Sequence, residues 1–96
     1  MSGLEKIKLN RDRVLEIARQ HGADRLRVFG SVARNEDRSE SDLDFLVQMD
    51  PERDLLDMIA LSQELEELFH QKTDVVSDDE LNPYLKARIL REAIAV

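Results

Sequence analysis

The amino-acid sequence predicts an α/β (α+β) domain in which helices flank a small mixed sheet. Three observations point there. Helical apolar spacing alternates with short apolar runs, in the order helix, strand, strand, helix, strand, helix. The 96 residues suit one hydrophobic core, so residues 1–96 read as a single domain. The apolar fraction, 42%, is that of an ordinary globular protein. Phe29, Phe45, Phe69 and Tyr84 are its only aromatics, so the core must be mainly Leu, Ile and Val.

From residue 10 or 11 to residue 21, Val14, Ile17 and Ala18 share one face with Leu15 beside it, and Gly22 ends the helix. Residues 25–29 carry Leu26, Val28 and Phe29, a strand running into Gly30. A helical turn follows at 31–34, then a polar loop at 35–41 without a large apolar residue. Residues 42–48 hold Leu43, Phe45, Leu46 and Val47, a strand buried on most of both faces and ended by Asp50-Pro51. The clearest helix is 52–69, where Leu55, Met58, Ile59, Leu65, Leu68 and Phe69 recur mostly three or four apart. Residues 73–77 form a short strand. Asn82, as cap, and Pro83, as first helical residue, open a last helix to about residue 95.

Charge and composition narrow the function. The formal net charge is −7, and Lys and Arg are scattered singly among acids. Direct binding to a nucleic-acid backbone needs clustered cations, so it is not expected. The absence of cysteine removes disulfide scaffolds, thiolate catalysis and Cys-based zinc sites. No leader-like apolar run and no membrane-length segment is present, so the chain reads as soluble and cytoplasmic.

Three features carry chemistry. Phe29-Gly30-Ser31 sits where a strand becomes a helical turn, where free backbone N–H groups, a glycine and a hydroxyl can receive phosphate, although Gly-Ser is also a common turn pair. Asp42 and Asp44 lie two apart on a strand, hence on one face, with Cα atoms about 6.5–7 Å apart. Carboxylates on a largely buried strand are costly unless paired or bound to a cation, and magnesium prefers such oxygens. Asp74 interrupts the next strand; it completes a three-acid cluster if the strands are neighbours, and is an edge-strand aspartate otherwise. Such acids suit two Mg2+ ions and in-line transfer from a nucleoside triphosphate, with Asp42 and Asp44 on the triphosphate-side ion and Asp74 beside the incoming hydroxyl. Arg34, one turn beyond Ser31, reaches the same phosphates or lies in solvent. His21 and His70 sit at helix ends and read as macrodipole partners, Glu64, Glu66 and Glu67 as a solvated face, and Tyr84 as a packing residue.

Gly30-Ser31 followed after ten residues by Asp42-Leu43-Asp44 resembles the signature of the DNA polymerase β-type nucleotidyltransferase superfamily. The string GSVARNEDRSESDLDFLV is similar to that of the minimal nucleotidyltransferases, the MNT or MntA-like antitoxins paired with HEPN toxins. The resemblance covers nearly the whole chain and implies a polymerase β-like core. It also implies transfer of AMP from Mg-ATP to a tyrosine of the partner toxin. By position, Gly30 and Ser31 match the phosphate-binding pair, Asp42 and Asp44 the metal pair, and Asp74 the third carboxylate. Asn35 departs from the glycine common in relatives, but asparagine tolerates left-handed backbone angles. Two other functions compete: an antitoxin that masks its toxin without catalysis, and a small-molecule (antibiotic) nucleotidyltransferase, which usually carries a further domain. An exposed sheet edge leaves room for a homodimer or a hetero-complex.

Overall fold

Caps and interruptions in the sequence set the element boundaries. The computed structural model describes residues 2–38 and 40–96. Ser2 accepts the Glu5 amide while the Glu5 carboxylate takes the Ser2 amide, and this reciprocal cap starts α1 (Gly3–Leu9). α2 (Arg11–Gln20) buries Val14, Ile17 and Ala18. β1 (Ala23–Phe29) passes directly into the short α3 (Gly30–Ala33). Then come β2 (Leu43–Met49), α4 (Leu55–Phe69) and β3 (Thr73–Ser77), followed by a 3-10 turn (Asp78–Glu80). α5 (Pro83–Glu92) and β4 (Ile94–Ala95) close the chain.

The four strands form one mixed sheet in the order β3-β2-β1-β4. β1 is antiparallel to both β2 and β4, whereas β2 and β3 are parallel and joined by α4, the crossover a parallel pair requires. Leu43, Phe45 and Val47 alternate along β2 and are fully buried with Val14, Ile17, Leu61 and Leu65 of α2 and α4. The opposite face of β2 carries Asp44, Leu46 and Gln48. Leu46 is buried as well, so the strand is enclosed on most of both faces, as its apolar run predicts.

Several expectations are corrected. α1 was not anticipated, although Ser2 and Glu5 have the spacing of a reciprocal cap. The long helix starts at Leu55 rather than residue 52, because Asp54 and Asp57 cap its first turn. The last helix ends at Glu92: Ala93 turns extended, and Ile94 and Ala95 pair with Val28 and Arg27 of β1. Backbone pairing at the sheet edge outweighs helix propensity there. Tyr84 does not pack; it is 95% exposed. Glu64 and Glu66 are not merely solvated, since Glu64 lies 2.7 Å from His21 Nε2 and Glu66 accepts the Thr73 amide at 3.1 Å. His21 is therefore held by a carboxylate across α2 and α4, beyond any macrodipole effect. Ser39, within the polar loop, lies outside the described residues.

Asn35 ends the turn after α3 with φ of 58°, the left-handed conformation anticipated for it. Replacing it by a β-branched residue adds steric strain, whereas glycine adopts the angle freely. Asn35→Val is expected to lower unfolding free energy by about 1–2 kcal/mol, and Asn35→Gly to stay within about 0.5 kcal/mol of the original. Urea denaturation of the three proteins checks this; equal midpoints would show that the loop does not need the left-handed residue.

Candidate active site

Strand register assembles the site. Asp44, on β2, pairs across β1 with Phe29 and across β3 with Asp74. Cross-strand partners share a face, so Asp44 and Asp74 stand side by side. Gly30 follows Phe29, and its φ of 74° turns the chain from strand to helix. A Cβ on Gly30 would run into the Asp44 carboxylate, so both the angle and the space demand glycine. Ser31 occupies the next position of α3.

Asp42 lies one residue ahead of β2, and its Oδ2 is 3.7 Å from Lys72 Nζ. The half-buried Asp44 carboxyl is pushed up to about 6, by burial first and then by the negative charges of Asp74 and Asp42, with Arg34 and Lys72 pulling the other way. The charges of Asp74 and Asp42 are thus both felt at Asp44. Among the described residues, no three His, Asp or Glu side chains form a preassembled ion cage. The donors at hand are carboxylate oxygens without sulfur or imidazole, a set that fits a hard cation such as Mg2+. A half-buried carboxylate destabilised by two acidic neighbours is the observation that makes a cation fit here.

Arg34 neither reaches out freely nor lies idle in solvent. Its Nε is 3.1 Å from Glu36 Oε2, and one terminal nitrogen is 3.1 Å from both oxygens of Glu92. These bonds raise the Arg34 pKa above its ordinary value, Glu36 contributing most and Glu92 next. Glu92 also accepts the Gly30 amide at 3.2 Å. Beside Asp44 and Asp74, a groove of about 570 Å³ runs along the edge strand β3, with Leu55, Ile59 and Ser62 of α4 in its wall.

Sequence reasoning missed two side chains of this site. Lys72 precedes Asp74 by two residues, the alternation that places both on one face, and this signal was available. Glu92 is 62 residues from Gly30, and nothing local marks it.

Because the folded Asp44 pKa lies above its ordinary 3.8, its contribution favours the fold at low pH and is lost as pH rises through about 6. In chelator-treated protein, Asp44→Asn should therefore be stabilising at pH 7.5, by about 1 kcal/mol after discounting for solvent screening, and neutral near pH 4. Urea unfolding at both pH values measures this, and a gain independent of pH would contradict it. Gly30→Ala should displace the Asp44 carboxylate and lower turnover about a hundredfold, the usual cost of misplacing a reacting group by about 1 Å. Steady-state rates of the folded variant decide.

Residues 12–96 match the family described as polymerase beta, nucleotidyltransferase. A Methanocaldococcus jannaschii protein named "Putative protein adenylyltransferase MJ0435" is 42% identical over 84 residues, spanning 88% of this chain and 90% of the relative. The protein adenylyltransferase MntA of Thermococcus cleftensis is 33% identical over 81 residues, 84% of this chain and 82% of its own length. A solved structure described as a "putative minimal nucleotidyltransferase" superposes with a TM-score of 0.88 at 47% identity, covering 100% of this chain and 97% of the other. A toxin–antitoxin structure with AMP-PNP shares the fold, with a TM-score of 0.76 at 18% identity over 90% of this chain and 71% of that one. With family and relatives matched over most of its length, the chain belongs to the polymerase β-type nucleotidyltransferases, in their minimal MntA-like form, and is an enzyme of that class.

Proposed function

We propose that this enzyme is an antitoxin that transfers AMP from ATP to a tyrosine hydroxyl of a partner HEPN toxin, with magnesium held by Asp42, Asp44 and Asp74. The observation that supports this reading is the register pairing of Asp44 with Asp74 beside Gly30, together with the influence of Asp42 and Arg34 on the Asp44 carboxyl. The names of the relatives supply the group transferred. The Thermococcus protein is called a protein adenylyltransferase, and a solved Shewanella oneidensis complex, alike in fold, holds a tri-AMPylated HEPN toxin with its MNT antitoxin.

The roles divide by position. Magnesium, when bound, neutralises the triphosphate and acidifies the attacking hydroxyl. The Gly30 amide, the Ser31 hydroxyl and the Arg34 guanidinium hold the outer phosphates, and Arg34 does so with planar, bidentate geometry. Asp74, on the edge strand and open to the groove, faces the incoming hydroxyl and accepts its proton. The tyrosine oxygen bonds to the α-phosphorus, the bond from that phosphorus to the β-phosphate bridging oxygen breaks, and pyrophosphate leaves. Leu55 and Ile59 add apolar surface to a groove otherwise lined largely by polar side chains, and an aromatic acceptor can pack against them.

Intact-mass spectrometry of the HEPN toxin, incubated with this chain, magnesium and ATP, tests the proposal. One or more AMP residues should be added to the toxin, and the rate should fall at least about a thousandfold in Asp42→Ala/Asp44→Ala, a loss of about 4 kcal/mol in transition-state stabilisation. A stable complex that gains no mass with any of the four nucleoside triphosphates would replace this reading with that of a masking antitoxin.

A further inference from the structure

The C-terminal segment delivers a carboxylate to the donors assigned above to the triphosphate. Glu92 Oε1 accepts the Gly30 amide at 3.2 Å and lies 3.1 Å from an Arg34 terminal nitrogen, while Oε2 lies 3.1 Å from the same nitrogen. These are the distances and donor types with which a phosphate oxygen would be bound. Two anions cannot share them: a phosphate brought to Gly30 and Arg34 would stand against the Glu92 carboxylate at a few ångströms, where like charges repel strongly in a partly shielded site. The Glu92 side chain is only 18% exposed, so water does little to soften that conflict.

We propose that Glu92 is an internal anion that competes for the donors assigned to the triphosphate, and that nucleotide binds by displacing it together with the α5–β4 segment. The inference rests on the assignment of Gly30 and Arg34 to the triphosphate.

The way the segment is held agrees with such a role. Glu92 is the last residue of α5, and the pairing of Ile94 with Val28 places it beside Gly30, two residues beyond Val28 on β1. The hold is light. α5 buries no residue, β4 pairs over two residues, and Ile89, Ala93, Ile94 and Val96 are only partly buried, with Val96 packed against the core. A segment with so few buried contacts opens without disturbing the rest of the fold. Arg34 keeps its bond to Glu36 when Glu92 departs, so its guanidinium stays oriented for the incoming phosphate. Nucleotide therefore binds only the fraction of molecules in which Glu92 has withdrawn, and its apparent affinity is reduced by that fraction.

Calorimetric titration of the full chain with the non-transferable analogue α,β-methylene-ATP, in magnesium, tests this. Glu92→Gln keeps the shape and an acceptor for the Gly30 amide but removes the charge, and it should bind the analogue about three- to tenfold more tightly than the unmodified chain. In the unmodified chain, the analogue should also accelerate exchange of the Val96 amide, which bonds to the Leu26 carbonyl of β1 when the segment is docked. This second measurement does not depend on how the variant folds. Equal or weaker binding by Glu92→Gln, with exchange unchanged, would overturn the proposal and make Glu92 a positioning residue for Arg34. In that case, loss of binding in Asp42→Asn/Asp44→Asn would show that the functional reading survives. If neither the unmodified chain nor Glu92→Gln binds the analogue, both inferences fall together.

Discussion

The register of β2 is the constraint on which the site depends. Leu43, Phe45 and Val47 point into the core and are completely buried. A slip of one residue would turn Asp44 into that core and move Leu43, Phe45 and Val47 to the face where only the position of Leu46 is fully buried, a change far more costly than any gain at the surface. The apolar residues thus fix the strand, and the strand carries the carboxylate. β1 and β3 grip β2 from either side, and each brings one further element to Asp44: β1 the turn at Gly30, β3 the carboxylate of Asp74. Stability and chemistry are interleaved along the same seven residues of β2, by simple alternation.

Electrostatics at the site is a balance of paired charges rather than an excess of one sign. The chain as a whole carries −7, and Asp44 feels this most sharply because burial removes the water that would screen its neighbours. Two cations stand nearby, and both are already engaged: Lys72 with Asp42, Arg34 with Glu36 and Glu92. That engagement holds the cationic side chains close without neutralising the acids fully, which is the electrostatic setting that the proposed binding of a divalent cation together with a polyphosphate requires. A protein with a freely basic cleft would attract nucleic acid instead.

Most of the sheet was legible in the sequence because its strands obey local rules. The run from Leu43 to Val47 and the short strand Thr73–Ser77 are bounded by polar residues and turn signals, and the register of their aspartates follows once the two strands are taken as neighbours. Gly30 and Asn35 were legible for another reason: each occupies a positive φ that few residue types accept. The C-terminal edge was not legible. Residues 83–92 are helical by spacing, and the two residues of β4 are too short to show alternation, so only the partner strand 66 residues or more away, through Val28 and Arg27, defines them. Glu92 was hidden with them. Its position comes from an edge pairing, and no short-range pattern encodes that.

The mixed direction of the sheet explains why all these parts meet at one end. In a wholly parallel sheet, ligands gather beyond the carboxyl ends of the strands, where the loops lead to helix starts. Here β1 runs antiparallel to β2 and β3, so its carboxyl end lies beside their amino ends. The turn after β1 can then offer backbone amides and a glycine, while the first residues of β2 and β3 offer carboxylates, and neither set crowds the other out of its strand. Were β1 parallel to β2, Gly30 would lie at the far end of the sheet from Asp44 and the two would never meet. The antiparallel pairing of β1 with β2 is therefore a requirement of the proposed chemistry as well as of the fold, and it brings the glycine turn at Gly30 and the carboxylates of Asp44 and Asp74 together within a chain of 96 residues.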